Sequence, residues 1–139
     1  MCHIDMEKNK VKNKKNRWVF ALATIFWLGV IFLFSAEPNL RSPFSYEADL
    51  VLRKFAHIAE YFILTFLIYK ALSVGKAKSN LLLVSFLIAL IGAVFDECHQ
   101  MFVAGREGAI RDVLFDAVGI LFAIYFIFRK SKNGERKNN

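Results

Sequence analysis

Cysteine and proline are nearly missing from this chain. Two of each occur in 139 residues, Cys2 and Cys98, Pro38 and Pro43. Two distant thiols make neither a disulfide framework nor a paired-thiol metal site. With proline confined to one short stretch, the rest of the chain is free to run as long helices. Charge is missing too, but only locally: Trp18–Ser35, Tyr61–Tyr69 and Asn80–Phe95 contain no Asp, Glu, Lys or Arg. No hydrophobic leader precedes Cys2 to make it a lipoprotein anchor, and no small-x-small cleavage site follows the first apolar run at Ala36-Glu37-Pro38. The expectation is a retained first membrane span.

What is present explains those gaps. The chain is 56% apolar and 15% aromatic with fifteen Phe, above the roughly 45–50% apolar usage of soluble domains. Its net charge of +7 sits beside apolar runs and does not interleave with aromatics on a polar surface, so nucleic acid is not an expected partner. Three segments follow: a basic arm over residues 1–17, a membrane domain over 18–128 and a basic tail over 129–139. The arm carries Lys8, Lys10, Lys12, Lys14, Lys15 and Arg17 among Asn residues and suits an anionic inner-leaflet surface.

Four spans are predicted, near Trp18–Ser35, Leu50–Val74, Asn80–Phe95 continuing to Gln100, and Ile110–Phe128, each close to the roughly 20 residues that cross the hydrocarbon region. The fold class expected is all-α, a four-helix membrane bundle. Basic residues crowd the arm, the 70–80 turn (Lys70, Lys76, Lys78) and the tail (Arg129, Lys130, Lys132, Arg136, Lys137), whereas the other two connections are poor in them. The positive-inside rule then puts both termini in the cytoplasm of a multi-pass cell-membrane protein.

That topology sends the polar helix ends to one side, the outer one. Lys54, His57 and Tyr61 fall at i, i+3 and i+7, with Glu60 beside them, while Asp96 with Gln100 and Asp112 with Asp116 are i, i+4 pairs. A charge at membrane depth costs roughly 2.5–3.5 kcal/mol on insertion scales and normally faces protein or a water-filled cavity. Asp116 is the deepest. Arg53 and Lys54 also suit snorkelling to headgroups, and Glu37, Arg41, Glu47 and Asp49 suit a solvated loop. His57, Asp96, Glu97, Arg106, Asp112 and Asp116, from three segments, are expected to converge on one level, as a pocket or as a network serving packing alone.

The ordered motifs carry a resemblance. Lys54-Phe55-Ala56-His57 with Tyr61, Asp96-Glu97-Cys98-His99-Gln100-Met101-Phe102 with Gly105-Arg106, and Arg111-Asp112-Val113 with Asp116 and Gly119 together resemble the VanZ-like family over about residues 18–128. Asp116 stands where many members carry Asn, and Ala104 precedes Gly105 where Pro is common. The resemblance implies a small cell-envelope membrane protein associated with low-level resistance to lipoglycopeptides such as teicoplanin.

Three functions compete on these residues. The first is recognition of an anionic lipid or cell-wall precursor in an outward polar pocket by Lys54, Tyr61, Gln100, Arg106, Arg111, Asp112 and Asp116, cations holding a phosphate or carboxylate through charge-assisted hydrogen bonds. The second is an enzyme acting on a lipid-linked substrate, with His57, Asp96 and Glu97 as catalytic candidates and His57 as general base. No Ser or Cys sits beside a base to serve as nucleophile. The third is a structural subunit. His57, Asp96, Glu97 and Asp112 are also donor types for a divalent cation, but without a His-x-x-x-His or Glu-x-x-His pair no metal or other cofactor is expected. Four short helices enclose little volume, so a homodimer is a further expectation.

Overall fold

A computed structural model describes residues 2–36, 46–73, 79–103 and 110–136. Those residues form four helices and no strand: α1 Cys2–Ala36, α2 Tyr46–Leu72, α3 Ser79–Gln100 and α4 Ile110–Arg136. The apolar runs dictate them, because a segment in lipid must satisfy its backbone groups internally and a helix does so within itself. α1 is described as far as Ala36. The basic arm continues as helix into the first span, and α4 runs on into the tail.

Three segments, Lys15–Ala36, Val51–Leu72 and Asn80–Gln100, are long and apolar enough to cross a membrane. α4 is apolar from Val113 to Phe128 apart from Asp116, with Arg111 and Asp112 before that run and Arg129 and Lys130 after it. Hydroxyls inside the spans are returned to the backbone one turn earlier: Thr24 Oγ1 donates to Phe20 O (2.8 Å), Thr65 Oγ1 to Tyr61 O (2.7 Å) and Ser85 Oγ to Leu81 O (2.7 Å).

α2 and α3 each touch all three other helices, while α1 and α4 do not meet among the described residues. α2 and α3 therefore form the short diagonal of the bundle. The core gathers Ile31, Tyr61, Leu64, Ile68, Ala89, Ala93 and Ile120. Ser85, Ala89 and Ala93, at i, i+4 and i+8 on α3, are all buried, and such small residues let helices approach closely in lipid. A close approach is made by Gly119 of α4, where a Cβ would run into the carbonyl of Ile58 on α2. Large apolar side chains such as Phe26 (71% exposed) and Phe95 (72%) cover the outside. That suits a lipid surround.

Candidate functional site

The inward face of each helix changes character along its length. On α2 it runs His57, Tyr61, Leu64, Thr65, Ile68; on α4 it runs Asp116, Ile120, Ala123, Ile127; on α3 the small stripe ends in Asp96, Glu97 and Gln100. Alternate helices run in opposite directions, so these polar residues meet at one end of the bundle, opposite the end where Arg17 Nε donates to Ala71 O at the close of α2 (3.3 Å).

At the centre, His57 Nδ1–H donates to Asp116 Oδ1 (2.9 Å), with the His57 side chain 14% exposed and Asp116 fully buried. Asp116 Oδ2 is buried and finds no hydrogen-bond donor among the described residues. On α3, Gln100 Nε2 donates to Asp96 Oδ2 (2.9 Å) and to Ser35 Oγ on α1 (3.3 Å), all three residues being buried. Glu97 is buried beside them. One donor atom each from His57, Asp96 and Glu97 lies within 4.8 Å of the others. Tyr61 is 1% exposed. The cluster is thus acidic: three buried carboxylates around one imidazole.

The cationic candidates stand apart from it. Lys54 and Arg111 are exposed. Lys54 Nζ lies 4.9 Å from the centroid of the Phe115 ring on α4, a cation–π placement, and Arg111 precedes Phe115 by one turn. α2 and α4 also frame an apolar groove of about 510 Å³ lined by Phe55, Ile58, Ala59, Phe62, Phe122, Tyr125 and Phe126. Lys54, Ile58 and Phe62 are i, i+4 and i+8, so Lys54 begins the helix stripe that walls the groove.

Of the predicted site residues, the structure brings together His57, Tyr61, Asp96, Glu97, Gln100 and Asp116. It sends Lys54 and Arg111 to the rim and leaves Asp112 half-buried one turn before Asp116. Arg106 lies outside the described residues. Ser35 was not foreseen: a lone hydroxyl at the end of an uncharged run reads as lipid-tolerant, and only its position at the polar helix end hinted otherwise. Nor was Trp27, whose Nε1–H donates to Glu60 O (3.0 Å). His99, an unassigned position of the sequence motif, stacks on Phe32 of α1 with centroids 4.3 Å apart.

An oriented imidazole beside carboxylates can take or give a proton or hold a cation. No curated protein and no solved structure matches the chain. The pattern of the VanZ/LLP1 family matches residues 20–130, and the chain belongs to that family of membrane proteins.

Proposed function

We propose that the protein is a multi-pass cell-membrane component that holds an anionic lipid, or the lipid-linked form of a cell-wall precursor, at the polar end of its α2–α4 face. In this reading both termini are cytoplasmic and the polar end faces outward. The observation that carries it is the presence, on the α2–α4 face, of exposed cations at Lys54 and Arg111 and of an apolar groove further along the same two helices. On this reading the groove takes an acyl chain and the Lys54 and Arg111 cations hold a headgroup phosphate by charge-assisted hydrogen bonds. The buried carboxylates repel an anion, so the recognition element is the rim and not the acidic interior. Holding such a precursor reduces a lipoglycopeptide's access to it, which is the route to teicoplanin tolerance on this reading.

Mass spectrometry of lipids co-purifying with the full chain tests it. The wild type is expected to retain anionic lipid over zwitterionic lipid, and a Lys54→Gln, Arg111→Gln double variant to lose that preference along with any teicoplanin tolerance. Equal lipid profiles from the two proteins would sink the reading.

The enzymatic alternative has the His57–Asp116 contact in its favour, a base oriented by a carboxylate. It predicts a lipid-linked species of altered mass in cells carrying the wild type, absent with His57→Gln.

A further inference from the structure

From the buried acidic cluster we infer that His57, Asp96 and Glu97 bind a divalent transition-metal ion of the Zn²⁺ or Mn²⁺ type, with Asp116 as the outer carboxylate that fixes the histidine. The inference stands without the lipid reading, because it concerns the bundle interior and not the rim.

Four observations point the same way. First, three different donor residues from two helices offer ligand atoms within 4.8 Å of one another. Ligand atoms around an ion bound at about 2.0–2.2 Å sit roughly 3–3.5 Å apart, so closure needs only side-chain rotations of an ångström or so. Second, Asp116 engages Nδ1 of His57, which leaves Nε2 as the ligand atom. A metal-binding histidine usually hands its other N–H to a carboxylate in this way. Third, Gln100 Nε2 holds one oxygen of Asp96, which orients the carboxylate and leaves Oδ1 for the ion. Fourth, Asp96, Glu97 and Asp116 are 8%, 5% and 0% exposed, and Asp116 Oδ2 is buried with no donor among the described residues.

Two buried carboxylates and an imidazole are donors of the kind a dication takes. One imidazole nitrogen with two carboxylate oxygens suits Zn²⁺ or Mn²⁺ better than Ca²⁺ or Mg²⁺, which take all-oxygen sets. Chain spacing hides the site because its ligands lie about forty residues apart.

The test uses the full chain in mild detergent, stripped with a chelator and titrated with Zn²⁺, Mn²⁺ and Co²⁺, bound metal being counted by elemental analysis. One tightly held ion per chain is expected for the wild type. An Asp96→Asn, Glu97→Gln double variant should bind at least a hundredfold more weakly. Asp116→Asn should weaken binding by roughly 10–100-fold at unchanged stoichiometry, and Glu60→Gln should bind as the wild type does. Helicity and elution volume establish that each variant is folded. The Co²⁺ spectrum of the wild type gives a readout independent of any variant, and it should report mixed nitrogen and oxygen ligands. A wild type that holds no ion, an oxygen-only Co²⁺ spectrum, or a folded double variant that binds like the wild type would each overturn the assignment.

Discussion

The two ends of the bundle interior are built on opposite principles. Towards one end Leu64, Ile68, Ala89, Ile120, Ala123 and Ile127 meet, while towards the other Ser35, His57, Asp96, Glu97, Gln100 and Asp116 do. In lipid the apolar end gains little from burial, since hydrocarbon surrounds it either way, and it is held by close packing of small residues. The polar end is held by directed bonds, and its groups are costly to leave unpartnered. Size changes should therefore damage the first and charge changes the second. The strongest way to break this comparison is to remove one member of the His57–Asp116 pair. Asp116→Leu is expected to cost about 3–5 kcal/mol, the price of stranding a buried partner. Asp116→Asn should cost less, because its carbonyl still accepts from His57 Nδ1–H. Denaturation in mixed detergent micelles measures both, and equal losses would show that the carboxylate charge contributes nothing.

The next effect belongs to packing. Gly119→Ala places a methyl group against the Ile58 carbonyl, which the two backbones relieve only by moving apart, at about 1–3 kcal/mol as for overpacked cores. Gly92→Ala meets only Leu64 Cδ2 at 3.8 Å and Gly29→Ala meets nothing within 4 Å, so both should be near neutral. A Gly119→Ala protein as stable as Gly92→Ala would remove the α2–α4 contact from the account.

This glycine also marks where sequence reading stopped. The helices were legible because apolar length fixes the extent of a span. The meeting of His57, Asp96, Glu97 and Asp116 was legible because antiparallel neighbours bring alternate helix ends together. Azimuth was not legible. The 3.6-residue period tells which residues share a face but not which neighbour that face meets, so Lys54 was grouped with Tyr61, yet Tyr61 is buried and Lys54 lies outside over Phe115. The tight partner of Gly119 and the role of Ser35 depend on helix pairing, which no local pattern encodes.

A smaller effect separates the attachments of α1. Gln100 is the link between α3 and Ser35 of α1, and Gln100→Leu removes that donor while leaving Asp96 Oδ2 and Ser35 Oγ buried. About 1–3 kcal/mol is expected from the two stranded groups. Ser35→Ala strands less, because Gln100 keeps Asp96, and should cost no more than about 1.5 kcal/mol. If Ser35→Ala proves the more damaging of the two, the polar end is not organised around Gln100.

The smallest expected effect lies at Trp27, between the two kinds of packing. Its Nε1–H donates to the Glu60 carbonyl across the α1–α2 contact at 3.0 Å, and its ring packs against the apolar core. That carbonyl sits within α2, so the indole bond is its second, and losing it strands no acceptor. Trp27→Phe keeps most of the ring and removes only the donor. It should therefore cost about 0.5 kcal/mol, the low end for a hydrogen bond, whereas Trp27→Ala removes packing as well and should cost more. Glu60→Gln should leave this contact intact, since the acceptor is backbone. Parallel detergent titrations of the three variants check the order. A Trp27→Phe loss as large as that of Gln100→Leu would mean that α1 is fastened by directed bonds along its whole length, and the division between a packed end and a bonded end would not extend to that helix.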